Sequence, residues 1–148
     1  MKSILTTAVL LSALLFNEAF AAKPEVYFDR RAGAAIRGYD PVAYFTENKA
    51  VKGNKEYSFE YNGAKWIFSS QENLDAFKLA PEKYAPQYGG YCAYAVSNGS
   101  TASSKPEFFT IHEGKLYLNF SKTVYKKWLK KKDEYIKSAD TEWPEIIK

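Results

Sequence analysis

Cysteine, histidine and methionine are almost absent from this sequence, which holds one of each among its 148 residues. A single thiol, Cys92, cannot close an intrachain disulfide, so a disulfide-stapled fold is excluded. The sequence also lacks CxxC and HxxxH pairs, which typically supply the ligands of closed zinc sites. One thiol and one imidazole, Cys92 and His112, therefore remain, and a metal site built on them would be an open one completed by oxygen ligands.

The long uncharged stretch at the N-terminus indicates a signal peptide. Lys2 precedes an apolar stretch, and an Ala-Phe-Ala sequence ending at Ala21 has the small-residue pattern of a cleavage site. The stretch is too short to cross a bilayer comfortably. We therefore predict a signal peptide at residues 1–21, cleaved near Ala21. The mature protein, residues 22–148, would then be a single periplasmic or secreted domain.

Aromatic side chains make up 17% of the residues, and twelve of these side chains are tyrosines. This content predicts a small core built from large rings whose hydroxyl groups reach polar partners. The net charge is only +4. A mildly basic exported protein can meet anionic surfaces or ligands, and we expect no nucleic-acid partner.

The segment 57–84 has the pattern of a hairpin followed by a helix. Aromatic residues alternate with polar ones on both sides of Asn62-Gly63, a dipeptide that favours a two-residue hairpin turn. Ser70 stands at the N-cap position of the next helix, without the glutamate of a full capping box. Pro81 is expected to end that helix.

A second unit of the same kind follows without a recognisable sequence repeat. Apolar runs on both sides of Glu113-Gly114 predict another hairpin, and Ser121 is placed to cap a long helix with a 3.6-residue apolar pattern. We expect Asp140 and Thr141 to end this helix. The Trp-Pro pair that follows would pin the tail onto the core.

Together these patterns predict an α+β fold. A small antiparallel sheet would come from the hairpins at 57–69 and 108–120, with helices packed against it and a long C-terminal helix. One sheet of about four strands is preferred over two separate ones.

Three shorter segments complete the prediction. Residues 32–37 are small enough to pair as an edge strand. Asp40, followed by proline, has the form of a helix start with a single turn through Tyr44. Residues 91–96 are favoured as a short buried helix, with a buried strand as the alternative.

The first hairpin and its helix carry Gly63, Phe68, Ser69, Phe77 and the sequence PEKY at 81–84. This combination resembles the YHS domain family over roughly residues 38–84, with the second hairpin and helix as an extension. That family of small modules is associated with metal handling, including heavy-metal transporters. The resemblance implies an exported binding module for a transition-metal ion, with copper or zinc as the candidates.

Many YHS relatives carry cysteines that this chain lacks. Ala43 stands where relatives have Cys after Asp-Pro-Val, and serines follow the second hairpin strand. A closed cysteine site is therefore unavailable. The candidate metal ligands are Cys92 first, and Asp40 and His112 as weaker choices.

Cys92 and His112 each have a simpler interpretation, as a buried structural cysteine and as a solvated hairpin residue. A thiolate–imidazolium pair between them would instead make a thiol-dependent enzyme. The apolar neighbours of Cys92 should raise the thiol pKa and oppose such a pair. A binding protein is therefore favoured over an enzyme.

A metal-free module that binds a small molecule or a protein is the alternative. Its site would lie in the two most unusual segments, where glycines allow close backbone approach and tyrosines orient a ligand. The residues concerned are Tyr39, Tyr44, Gly89, Gly90 and Tyr91. A tyrosine-rich core whose hydroxyls bond to the backbone explains the same residues without a ligand.

Five lysines lie between Lys126 and Lys132. A solvated helix face is the usual meaning of such a run. An acidic protein partner or an anionic lipid surface is the functional interpretation.

Overall fold

The computed structural model describes residues 22–148, and the predicted signal peptide lies outside them. None of the helices in this part of the chain has the length and hydrophobicity to cross a lipid bilayer.

The chain is an α+β fold, as predicted. Its strands are β1 (Phe28–Asp29), β2 (Ala34–Ala35), β3 (Asn54–Tyr61), β4 (Ala64–Phe68), β5 (Lys105–His112) and β6 (Lys115–Asn119). Its α-helices are α1 (Ala43–Thr46), α2 (Gln71–Leu79), α3 (Pro81–Tyr84), α4 (Ala93–Ser97), α5 (Lys122–Lys130) and α6 (Lys132–Ile146).

The first hairpin forms where the alternating aromatics predict it. Asn62 and Gly63 both take positive φ, at 48° and 72°, which is the turn that joins two twisted antiparallel strands. Phe59 pairs with Trp66 across β3 and β4. Ser70 then caps α2 by accepting a hydrogen bond from the backbone N–H of Asn73 at 3.1 Å.

The second hairpin uses the same local chemistry. Glu113 and Gly114 take φ of 50° and 73° between β5 and β6. Ser121 accepts a hydrogen bond from the backbone N–H of Val124 at 3.2 Å and starts α5. The expected short buried helix also forms, as α4. The expected turn after Asp40 forms as α1.

The preferred single sheet does not form. Each hairpin makes its own two-stranded antiparallel sheet, and β1 and β2 make a third. One reason lies on β6, where Leu118 forms a bridge with Cys92 and so uses the position where another strand could pair. Pairing of β1 with β2 involves only part of the predicted edge strand, since residues 36–38 leave the extended conformation.

Strand β6 is buried on both faces and joins two hydrophobic clusters. Leu116 and Leu118 pack in the first cluster with Phe77. Tyr117, which points to the opposite face because side chains alternate along a strand, packs in the second cluster with Trp128. The extension after the first hairpin unit therefore supplies part of that unit's core.

The C-terminal helical region differs from the expected single helix. It breaks at Lys131, and α6 then continues through Asp140 and Thr141 to Ile146. The expected stop at Asp140 is wrong because its carboxylate is used in the fold, where it accepts a hydrogen bond from the Tyr88 hydroxyl at 2.8 Å.

The tail is pinned as expected. The Trp143 ring lies 6.0 Å from that of Tyr88 and 5.9 Å from that of Tyr91, measured between centroids. Pro144 stands in the last turn of α6 and leaves one fewer backbone N–H to continue the helix.

Gly89 allows the N-terminal segment to lie directly against the turn at 87–90. Its carbonyl oxygen accepts a hydrogen bond from the backbone N–H of Tyr27 at 2.9 Å. A Cβ at Gly89 would lie 1.8 Å from the carbonyl oxygen of Glu25, and φ there is +59°. Gly89 was expected to let a ligand or a partner come close to its backbone. In the structure the chain's own N-terminal segment occupies that position.

We predict that Gly89→Ala destabilises the protein far more than Gly63→Ala. Both glycines have positive φ, so both substitutions cost about 1 kcal/mol for the backbone. Only the alanine at position 89 would also overlap a neighbouring backbone, which raises the loss of stability by about 2 kcal/mol. Urea unfolding of the two variants measures the difference. Equal losses would show that the N-terminal segment is not docked on Gly89.

Candidate functional site

The Asp40 carboxylate is fully buried and accepts hydrogen bonds from two parts of the chain. Its Oδ1 accepts from the backbone N–H of Val42 at 2.8 Å and, more weakly, of Ala43 at 3.3 Å. Its Oδ2 accepts from the backbone N–H and the hydroxyl of Ser69, at 2.8 and 2.7 Å, and from the amide Nδ2 of Asn73 at 2.7 Å. Five donors therefore occupy the two oxygens.

Asp40 thus acts as more than the cap expected from its Asp-Pro sequence. It satisfies the first amides of α1 while holding the end of β4 and the first turn of α2. Ser69 and Asn73 were not predicted to contact it, because this contact spans about thirty residues and leaves no local signal. A metal ion could use this carboxylate only by displacing several of these donors.

Cys92 is buried, with 1% of its surface exposed. Its thiol lies 3.6 Å from the Asn119 Oδ1, to which it can donate a weak hydrogen bond. Burial raises the pKa of this thiol, although backbone hydrogen bonds involving Ala95, Phe120 and Tyr94 act in the opposite direction. A neutral, inaccessible thiol is neither a good nucleophile nor a ready metal ligand.

His112 lies at the end of β5 and contacts α6. Its Nε2 is 3.1 Å from the Asp133 Oδ1, an ion pair when the imidazole is protonated. The side chain is 23% exposed, so it is less solvated than a hairpin position would predict. Its imidazole links the second hairpin to the C-terminal helix.

The predicted metal ligands do not make one site. Within residues 22–148, no three side chains among His, Cys, Asp and Glu come together in a way that could hold a metal ion. Asp40 is saturated with donors, and Cys92 is a buried thiol. The donor set of this part of the chain therefore does not fit a resident metal ion.

The tyrosines considered for a ligand site are mostly used within the fold. The hydroxyl of Tyr44 donates to the carbonyl of Pro106 at 2.9 Å, and that of Tyr91 donates to the carbonyl of Pro24 at 3.0 Å. Burial raises the pKa of both tyrosines. These two contacts match the alternative of a tyrosine-rich core bonded to backbone.

The other three residues of that predicted site also have internal partners. Tyr39 is half-buried and forms a backbone bridge with Lys52. The carbonyl of Gly90 accepts a hydrogen bond from the Ser104 hydroxyl at 2.6 Å. The carbonyl of Gly89 accepts a hydrogen bond from the backbone N–H of Tyr27, and this glycine also lines an open groove.

The lysine run at 126–132 is mostly exposed on α5 and the start of α6. The ammonium group of Lys127 lies 4.9 Å from the centre of the Tyr94 ring. Lys131 and Lys132 have carboxylate neighbours, Glu134 at 3.4 Å and Asp133 at 3.7 Å. Binding of an anionic surface or an acidic partner here remains a prediction.

An open groove of about 520 Å³ lies between the first hairpin unit and α6. Four aromatic residues line it: Tyr61, Trp66, Tyr88 and Trp143. Its charged lining residues are Glu25, Glu82, Asp140 and Lys115. Three carboxylates against one ammonium make this groove locally acidic on a protein whose net charge is +4.

The groove is assembled from segments far apart in sequence. The turn after β3, the chain from α3 to Gly89, the N-terminal segment and α6 each contribute. The Tyr88–Asp140 hydrogen bond at 2.8 Å fixes the chain after α3 to α6. Burial and this carboxylate together raise the pKa of Tyr88. No local pattern in the sequence predicts such a site.

Residues 42–88 match the family model of the YHS domain. The match covers α1, the first hairpin, α2 and α3, and it ends inside the groove at Tyr88. This segment of the chain is therefore a YHS domain, and the family of that domain is associated with metal binding. No curated protein and no solved structure gives a match to the chain.

We predict that Asp40→Asn lowers the free energy of unfolding by about 3 kcal/mol. The substitution turns an acceptor into a donor that faces other donors, which leaves buried polar groups unpaired. Ser69→Ala is the matched comparison, since it removes only one donor and should cost about 1 kcal/mol. Guanidinium unfolding gives both values. A wild-type midpoint for Asp40→Asn would contradict the role assigned to this carboxylate.

Proposed function

We propose that this protein is an exported, non-enzymatic binding module that takes up a small organic cation in the groove between its YHS domain and α6. The predicted signal peptide supports export. The observation that carries the ligand class is the lining of the groove, where four aromatic rings share one space with three carboxylates.

The lining matches the chemistry of a positively charged group on an apolar body. A cation within about 6 Å of an aromatic face gains about 0.5–2 kcal/mol, more when water is excluded. Carboxylates at the rim add attraction at longer range. Tyr61 and Trp143 are the half-buried rings at the groove and so combine accessible surface with a fixed position.

A hydrogen bond between Tyr88 and Asp140 fixes both side chains in the groove in the absence of a ligand. The Tyr88 hydroxyl donates to Oδ1 of Asp140, so the second carboxylate oxygen keeps its capacity to accept from an ammonium group. The Tyr88 ring is held 6.0 Å from that of Trp143. Such preorganisation lowers the entropy cost of binding.

We predict that benzylammonium binds the purified protein about tenfold more tightly than benzyl alcohol, its neutral counterpart. The ring and size are similar, so the difference reports the positive charge. Glu25→Gln together with Glu82→Gln should remove most of this preference, since both carboxylates line the groove and are exposed. Isothermal titration calorimetry measures the four combinations.

The matched control is Glu56→Gln with Glu72→Gln, which removes the same charge at exposed positions outside the groove. This double variant should keep the wild-type preference for the cation. An equal loss in the control, or equal binding of the charged and neutral probes by the wild type, would refute the proposed ligand class.

The family relationship supports a second candidate, a transition-metal ion such as copper or zinc. Cys92 is the thiol that such an ion would favour, with Asp40 and His112 as further ligands. Binding there would require the chain to expose Cys92 and to release the donors that surround Asp40. This requirement places the metal candidate second.

We predict that Cu(I), Cu(II) and Zn(II) do not bind stoichiometrically at micromolar concentrations, because each candidate ligand already has a protein partner. Titration of the wild type and of Cys92→Ser, followed by absorbance and competition with a chelator, tests this. Stoichiometric binding that disappears in Cys92→Ser would put the metal candidate first.

A further inference from the structure

The chain makes a left-handed turn at Ile36–Gly38, in a segment that the proposed function does not use. The φ angles of Ile36, Arg37 and Gly38 are 47°, 52° and 82°. Glycine adopts such values freely, but a β-branched residue rarely does, and each non-glycine position costs about 1–3 kcal/mol. Backbone strain of this kind persists only where the surrounding structure holds it in place.

Hydrogen bonds on both sides hold this turn. The backbone N–H of Tyr39 donates to the carbonyl of Ile36 at 3.0 Å, and that of Gly53 donates to the carbonyl of Gly38 at 2.9 Å. Ile36 is buried with 3% of its surface exposed. The turn therefore sends Ile36 into the core and places the next side chain, Arg37, at the surface of the β1–β2 hairpin.

Asp29 orients two parts of this surface. Its Oδ1 accepts hydrogen bonds from the backbone N–H groups of Arg31 and Ala32, both at 2.9 Å, which fixes the β1–β2 turn. Its Oδ2 lies 3.3 Å from Nε of Arg37. One oxygen of the carboxylate is thus hydrogen-bonded to the turn that carries Arg30 and Arg31, and the other is in ion-pair contact with Arg37.

These residues line an open cavity of about 640 Å³. Arg30, Arg31 and Arg37 bring three guanidinium groups to it, against the single carboxylate of Asp29. Arg30 and Arg31 are exposed, and neither forms an ion pair within residues 22–148. Phe28, also in the lining, is an exposed large hydrophobic residue with 42% of its surface accessible.

We propose that this cavity, the arginine site, binds an oxyanion group, phosphate or carboxylate, carried by a small molecule with an aromatic or apolar portion. The planar guanidinium group binds two oxygens of a phosphate or a carboxylate through two parallel hydrogen bonds, and it keeps its charge at any physiological pH. Phe28 supplies apolar surface for the remainder of the ligand.

The arginine site is independent of the groove proposed for a cation. It lies on residues 27–37, before the YHS match at 42–88, and none of its lining residues lines that groove. It also differs from the lysine run, because a strained turn and a shared carboxylate position its charges. Failure of either proposal therefore leaves the other standing.

The test uses phenyl phosphate, benzoate and inorganic phosphate as probes, with binding followed by calorimetry. Phenyl phosphate should bind the wild type more tightly than inorganic phosphate, and Phe28→Ala should remove that preference. Arg30→Ala with Arg31→Ala should weaken phenyl phosphate binding about tenfold or more, since charge-assisted hydrogen bonds are lost. Comparison of phenyl phosphate with benzoate decides which oxyanion is preferred.

The matched control is Lys126→Ala with Lys130→Ala, which removes two exposed positive charges from α5. This double variant should bind phenyl phosphate as the wild type does. Arg37→Lys keeps the charge but loses the paired donors, and should also weaken binding. Equal weakening in the lysine control, or no binding of any probe to the wild type at millimolar concentration, would overturn the proposal.

Discussion

The buried carboxylate of Asp40 is the interaction on which the first half of the fold depends. An ionised carboxylate without partners is very costly in a protein interior, and five donors offset that cost here. Those donors come from the start of α1, the end of β4 and the first turn of α2. A single side chain thus sets how three elements meet, and the aromatic cluster around Phe77 packs within the frame that it defines.

The same contact leaves Asp40 without a free oxygen for the metal ion that the family suggests. Asp40 stands just before the matched residues 42–88, and both of its oxygens are used for structure. Ala43, where the family resemblance led us to expect a cysteine, has no side-chain ligand atom, and Ser69 acts as a donor to the carboxylate. The family scaffold is retained, while its polar groups stabilise the interior. The open surfaces with unpaired charge lie elsewhere, in the groove against α6 and at the arginine site.

Local chemistry made most of the elements predictable. The positive φ required by Asn62-Gly63 and Glu113-Gly114, and the caps formed by Ser70 and Ser121, are each determined within a few residues. What could not be predicted depends on distant partners. The separate sheets and the continuation of α6 past Asp140 reflect contacts with segments tens of residues away.

The residues of the candidate sites also depend on partners that are distant in the sequence. Gly89 was identified as a point of close approach, but its partner, the backbone at Glu25, leaves no pattern in the sequence. The groove collects residues from five separate segments, so no spacing in the sequence predicts it. Isoleucine favours extended backbone, so an edge strand was expected at residues 32–37. The left-handed turn at Ile36 goes against that preference.

Strand β6 determines how much of this chain would have to be moved into another protein for the first hairpin unit to keep its core. Leu116 and Leu118 complete the cluster around the YHS match, although they lie far beyond its last residue at 88. The matched segment therefore does not contain all of the side chains in its own hydrophobic cluster. Transplanted alone into another chain, it would leave that cluster open to water unless the new host supplied a strand with the same inward-facing side chains.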